Sequence, residues 1–360
     1  MHEISPLPAV GRNDDKIIIM RRPKILVLYT GGTIGMMKDQ KTGSLVPFNF
    51  GNIYEHLPVL RTLDYTIDMI AFENLIDSSN MTPEVWVELA EKIEENYEKY
   101  DGFVVLHGSD TMAYSASALS FMLENLAKPI IFTGSQLPMG MVRSDARENF
   151  ITSVEIAASK MDGEPSVPEV CILFENHLLR GNRSTKFNAE NFNAFSSGNY
   201  PTLADVGIKI KYNREFIMES TGRPLIVHKK FDTNVGILKL FPGITHDYVK
   251  HILNTPGMKG LIMETFGSGN APTSEWFLDE LSEACKKGLI IYNVTQCKSG
   301  SVETGRYETS LDLTNIGVIS GYDITTESAL AKMMYLLGTD MSRREIKRFL
   351  QTPLRGEMTV

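Results

Sequence analysis

The sequence is poor in cysteine, in long apolar runs and in positive charge, and each shortage removes a class of protein. Of 360 residues only three are cysteine, Cys171, Cys285 and Cys297. They are odd in number, widely spaced and form no Cys-x-x-Cys or zinc pattern, so a disulfide scaffold is excluded and a reducing compartment is expected. No stretch approaches the roughly 20 apolar residues that a membrane helix needs. Residues 1–22 contain only the short run Ile17-Ile18-Ile19-Met20. That is too brief for a signal-peptide core, so the segment reads as a weakly ordered N-terminal extension of a cytoplasmic protein. Lys and Arg number 36 against 44 Asp and Glu, a net charge of −8. An acidic chain lacks the basic face that duplex nucleic acid demands, but a small polar substrate stays open.

What is present is a rhythm. Apolar, β-branched runs recur at 24–30, 66–72, 102–108, 129–135, 170–176, 235–241, 260–266, 289–295 and 317–323. They are nearly continuous rather than alternating, as in strands covered on both faces. Helical segments lie between them. Thr82-Pro83-Glu84 reads as a helix start, a capping hydroxyl followed by proline, after which Trp86, Leu89, Ala90, Ile93 and Tyr97 share one face. Two further helices are expected at 328–337 and 342–350. Alternation of strand and helix predicts an α/β fold with a mainly parallel sheet. The length favours two domains. A polar stretch carrying Gly222-Arg223-Pro224 places the linker at 212–232, between a domain at 23–211 and another at 233–360.

Parallel sheets bind ligands beyond the carboxyl ends of their strands. Four such ends are rich in small hydroxyls and charges: Gly31-Gly32-Thr33-Ile34-Gly35, Asp77-Ser78-Ser79, Gly108-Ser109-Asp110-Thr111, and the stretch 180–186 ending in Lys186. The first matches neither a dinucleotide loop nor a phosphate loop. Each also has a plain structural reading, as a tight turn, a cap, a helix-dipole partner or a solvated lysine. His107 reads as a packed, hydrogen-bonded core histidine, without the second histidine of a metal motif. Taken together, Thr33 and Ser109 with a carboxylate and a lysine suit covalent attack on a carbonyl. An Asp-Ser pair suits the ammonium and α-carboxylate of an amino acid. No Gly-x-Ser-x-Gly elbow occurs.

The segments at 29–35, 77–83, 102–126, 180–186, 263–273 and 295–297 resemble, in order, the motifs of bacterial-type L-asparaginases of the cytoplasmic type I group. The resemblance runs from about Lys24 to Met358. It implies a larger N-terminal α/β domain, a smaller C-terminal α/β domain, and homodimers assembled into tetramers. It also implies hydrolysis of L-asparagine without metal or organic cofactor. Position by position, Thr33 matches the nucleophile, with Ser109, Asp110 and Lys186 completing the catalytic set. Asp77 and Ser78, with Ser79 beside them, match the substrate-binding residues. Asn270 matches an asparagine contributed by a neighbouring subunit. Thr185 and Cys297 match positions of a second asparagine site, although Glu264 stands where a basic residue is expected.

Two departures stand out. Ser109 replaces the family's second threonine, keeping the hydroxyl but losing the branch that stiffens χ1. The activating tyrosine of the loop after the nucleophile is absent from residues 36–50, leaving Tyr29 and Tyr54 as the nearest candidates. Lys186 must be neutral to act as a base, which a nearby Asp110 opposes, so a positioning or electrostatic role is expected for it. Glutamine adds only one methylene, worth about 1–3 kcal/mol of discrimination, so a glutamine-preferring amidohydrolase is the rival enzyme. Two more distant rivals are a subunit of a tRNA-dependent amidotransferase and a non-catalytic amino-acid sensor.

Overall fold

A computed structural model describes residues 22–38, 45–47, 57–303 and 308–360. Five strands run parallel: β1 (Lys24–Tyr29), β2 (Thr66–Ala71), β3 (Gly102–Leu106), β4 (Ile130–Thr133) and β5 (Val170–Phe174). Their spatial order is β2-β1-β3-β4-β5. Three antiparallel strands extend the β5 edge to give eight: β6 (His177–Arg180), β7 (Ala204–Val206) and β8 (Ile210–Tyr212). The β3, β4 and β5 runs are buried throughout, while β2, at the sheet edge, keeps a mixed surface. That is the expected signature of strands covered on both faces.

Helix α1 (Pro83–Asn96) begins at the predicted proline and buries Trp86, Leu89, Ala90 and Ile93. Thr82 sits at the N-cap without accepting from the helix. Its hydroxyl instead engages the Glu84 carboxylate, holding that group below its ordinary value. On the same sheet face lies α2 (Met112–Met122), nearly every residue of which is buried. On the other face, α3 (Ala146–Ala158) covers a separate core built around Ile25, Val27, Val104, Ile131 and Phe150.

A second, all-parallel sheet has the order β9 (Val235–Lys239), β10 (Gly260–Thr265), β11 (Ile290–Thr295) and β12 (Ile319–Ser320). Helices α4 (His246–Leu253) and α5 (Glu275–Lys286) flank it through Val249, Leu253, Phe277 and Leu281, which join Leu261 and Ile291 in one apolar cluster. Helix α6 (Glu308–Asn315) leads into β12. The last helices, α7 (Thr326–Leu337) and α8 (Arg343–Leu350), fall where the sequence places them. Helix α7 packs on α2, with Phe121 and Tyr335 stacked at 6.0 Å, so one continuous core crosses from the first domain to the second. Among the described residues no helix is long and apolar enough to cross a membrane.

Residues 354–359 return to the first domain. The Arg180 and Arg183 side chains both donate to the Gly356 carbonyl, at 3.3 and 2.7 Å. Glu357 forms a fully buried ion pair with Lys332 of α7 at 2.6 Å. Desolvation lowers the Lys332 pKa, and the Glu357 carboxylate opposes that shift.

Candidate active site

The strand order places β2 and β3 on opposite sides of β1, so the chain reverses direction between β1 and β3. Loops leaving such a switch point diverge and open a crevice. Here those loops carry Thr33 and Ser109. The two strand ends are tied together, for Thr30 donates to the Leu106 carbonyl through its N–H at 3.0 Å and its hydroxyl at 3.1 Å.

Gly31 and Gly32 then take φ of 134° and 90°, a region that side chains avoid. A Cβ on Gly32 would lie 2.5 Å from the Gly108 nitrogen, and one on Gly108 would lie 2.5 Å from the Ser78 Oγ. A Cβ on Gly31 would meet the Ile76 backbone, so three loops meet at distances that only glycine permits. Thr33 opens a short 3-10 turn, half-buried, directly after this contact. Its hydroxyl has no hydrogen-bond partner among the described residues. Tyr29 supports the turn from below. Its ring occupies the space over Gly35, and its hydroxyl donates to the Gly32 carbonyl at 3.4 Å. Burial pushes the Tyr29 phenol up to about 12, which suits a buttress and not a base at neutral pH. Tyr54 lies outside the described residues.

The loop after β2 brings Asp77 and Ser79 to the surface and buries Ser78. The Ser79 N–H and hydroxyl donate to one Asp77 oxygen at 3.0 and 2.9 Å. Those bonds hold the Asp77 carboxyl below its usual value. Thr111 donates to the Ser78 carbonyl at 2.7 Å, joining this loop to the start of α2. That tie links positions 33 residues apart, a separation over which local sequence carries no signal.

Lys186 arrives from a different direction. After β6 the chain makes a turn at Gly181–Arg183 and a two-residue bridge of Thr185 and Lys186 to Phe195 and Ser196. The lysine Nζ donates to Ser109 Oγ at 2.8 Å and to Asp110 Oδ1 at 2.6 Å. Its own side chain is 16 % exposed, while that of Asp110 is 64 % exposed. The second domain braces the segment that delivers it. Thr185 donates to Glu327 at 2.5 Å, and Arg183 pairs with Asp323 at 2.8 Å. Neither brace carries a local sequence signal.

Thr33, Asp77, Ser78, Ser79, Ser109, Asp110 and Lys186 thus stand on loops and a bridge that converge at the switch point. Asn270 belongs to the second domain, in the turn after β10, where its N–H donates to the Phe266 carbonyl at 2.8 Å. Thr185, Glu264 and Cys297 line one cavity of about 70 Å³. Glu264 is engaged there by the Thr326 hydroxyl at 2.6 Å and by Lys239 at 3.6 Å.

Known proteins resemble this chain in sequence and fold over nearly its whole length. The family model described as "Asparaginase, N-terminal" matches residues 24–218, and that described as "Glutaminase/Asparaginase C-terminal domain" matches residues 234–350. L-asparaginase 1 of Escherichia coli is 43% identical over 94% of this chain and 99% of its own. The 60 kDa lysophospholipase of Mus musculus is 42% identical over 94% of this chain, which spans only 63% of that larger protein. The crystal structure of L-asparaginase I from Vibrio cholerae superposes with a TM-score of 0.86 at 41% identity, covering 94% of this chain and 100% of that one. With both family models matched in order and the fold shared over nearly its whole length, the chain belongs to the asparaginase family.

Proposed function

We propose that this protein hydrolyses the side-chain amide of L-asparagine to L-aspartate and ammonia, with Thr33 as the nucleophile. The observation that carries the reading is the placement of one ammonium, Lys186, on both Ser109 and Asp110 at the switch point, beside the glycine turn that frees Thr33. The name and near full-length match of the E. coli relative support the same substrate. In the first step the Thr33 oxygen bonds to the amide carbon, the carbon–nitrogen bond breaks, and the hydroxyl proton ends on the departing ammonia. Water then attacks the resulting ester, releasing aspartate and restoring the hydroxyl.

Lys186 acts electrostatically, orienting Ser109 and offsetting charge as the tetrahedral intermediate forms. Asp77, held ionised by Ser79, takes the substrate ammonium, and Ser78 and Ser79 line the same end. Asn270 is proposed to complete the site of a neighbouring copy in a homodimer or homotetramer. Full activity in a species that sediments as a monomer would contradict that part. A cytoplasmic location goes with this reading and is supported by three free cysteines. The direct test is ammonia release from asparagine and glutamine side by side. Faster release from asparagine is the expected result. A preference for glutamine would reassign the substrate, and release from neither would point to a sensor.

A further inference from the structure

We infer that His107 is a positioning residue for the Gly108–Ser109 peptide, held in place by a one-way hydrogen-bond relay from Trp86 through Ser115. This deepens the amidohydrolase reading and, in its kinetic part, rests on it.

The direction of the relay follows from what each group can do. The Gly108 carbonyl lies 2.6 Å from His107 Nδ1 and can only accept, so Nδ1 carries the proton. The Trp86 indole N–H can only donate, and it reaches Ser115 Oγ at 2.9 Å. Ser115 Oγ lies 2.9 Å from His107 Nε2. In a neutral ring Nε2 accepts, so the serine hydroxyl donates to it. Each proton then has one place to go: indole to hydroxyl, hydroxyl to imidazole, imidazole to carbonyl. His107 and Ser115 are only 1% and 0% exposed, with no solvent to offer other partners. Burial also drives the His107 pKa down to about 4, which keeps the ring neutral and the relay intact at physiological pH.

The end of the relay lies in the candidate site. The carbonyl it fixes belongs to the peptide that leads into Ser109, whose hydroxyl meets Lys186. The Gly108 nitrogen on the other side of that residue is the atom against which Gly32 packs. A change in the backbone angles of Gly108 would therefore disturb the aim of Ser109 and the seat of the Thr33 turn together. A histidine present only to fill the core would have no such link.

The test uses the full chain with His107→Asn, His107→Gln and His107→Leu. An asparagine amide can sit where Nδ1 does and keep the bond to Gly108. A glutamine amide reaches the Nε2 position and keeps only the bond to Ser115. For asparagine hydrolysis, kcat is expected to fall about 10- to 100-fold in the Gln and Leu variants with KM within about 2-fold, since misplacing a catalytic group by about 1 Å costs on the order of 100-fold. His107→Asn is expected to recover most of that loss while melting no higher than His107→Gln. Wild-type kcat in the Gln and Leu variants, with only thermal stability reduced, would overturn the inference. Nitrogen-15 NMR of the wild type tests the relay without reference to activity: protonated Nδ1 is expected, and protonated Nε2 would overturn it. A wild type that is silent in the ammonia assay but shows the Nδ1 tautomer, with the Ser109 amide resonance displaced in His107→Gln and restored in His107→Asn, would refute the amidohydrolase reading and leave the positioning role standing.

Discussion

Both sheets of this protein carry hydroxyls at the ends of their parallel strands that bond back to the sheet, as Thr30 and Thr133 do in the first domain, but the first domain adds Thr33 and Ser109 on the loops just beyond. In the second domain Thr265 donates to Asn293 at 2.7 Å, Thr295 to the Gly267 carbonyl at 2.5 Å, and Ser320 to the Val302 carbonyl at 3.2 Å, all at buried positions. Those bonds tie the strand ends to one another and to the loops around them. In the first domain Thr33 and Ser109, on the loops after β1 and β3, are half-buried, and the Ser109 hydroxyl accepts from Lys186. What distinguishes them is close approach beneath them: Gly31, Gly32 and Gly108 bring three loops into contact just before these two residues. A hydroxyl at a strand end is thus a weak signal by itself, and a candidate only where the backbone beneath it needs no Cβ.

The largest effects should fall on opposite sides of that contrast. Thr33→Ala is expected to lower kcat by about 10³-fold or more while leaving thermal stability close to wild type. Its counterpart Thr265→Val should do the reverse, reducing stability by about 1–3 kcal/mol because Asn293 loses its buried donor, with kcat kept. Steady-state kinetics and urea unfolding of the two variants decide it, and a collapse of kcat in Thr265→Val would erase the distinction.

Inside the second domain, the buried ion pair that holds the C-terminal segment onto α7 gives a second stability test. Glu357→Gln removes the counter-ion of Lys332 at a site with no exposure, leaving it only the Leu350 and Thr352 carbonyls as oxygen partners, and a stability loss of about 3–5 kcal/mol in urea is expected. A loss below about 1 kcal/mol would show that the pair does not lock the returning segment onto α7. Asp77→Asn probes the functional side. Removing one charge-assisted bond worth about 1.5–3 kcal/mol should lower kcat/KM for asparagine about 10- to 150-fold. Unchanged kinetics would return Asp77 to the role of a turn residue.

The smallest effect is a pH dependence. The unfolded chain protonates His107 below about 6.5, whereas the folded chain does so only near 4. Unfolding therefore takes up a proton in that window, so stability from this group rises with pH between about 4 and 6.5 and is flat above. At 1.36 kcal/mol per unit, lowering pH from 7 to 5 should remove about 2 kcal/mol through this residue. His107→Asn should lack that share of the slope in urea unfolding at the two pH values.

Much of this organisation is legible locally. Continuous apolar runs mark the buried strands, and the proline at position 83 marks the start of α1. The site loops follow from hydroxyls and glycines at the ends of such runs. Less legible is whatever depends on partners far along the chain. The short strands β6 to β8 lack a continuous apolar pattern because they sit toward the sheet edge. Thr82 reads as a cap, but Glu84 competes for its hydroxyl. The Lys186–Ser109 bond spans 77 residues and the Thr185–Glu327 bond spans 142, distances over which no periodicity reports. His107 reads as an ordinary core histidine, since the acceptor that gives it a direction is visible only once Gly108 is folded against Gly32.

Above all, the freed hydroxyl at Thr33, and not the one at Ser109, is expected to carry the acyl group. Acid-quenched enzyme taken during turnover of asparagine, digested and mapped by mass spectrometry, tests it. Ser109→Ala is used alongside the wild type to slow turnover and raise the trapped fraction. An aspartyl adduct on the peptide containing Thr33, present in both proteins and absent from Thr33→Ala, is the predicted result. An adduct on the peptide containing Ser109, persisting in Thr33→Ala, would contradict it.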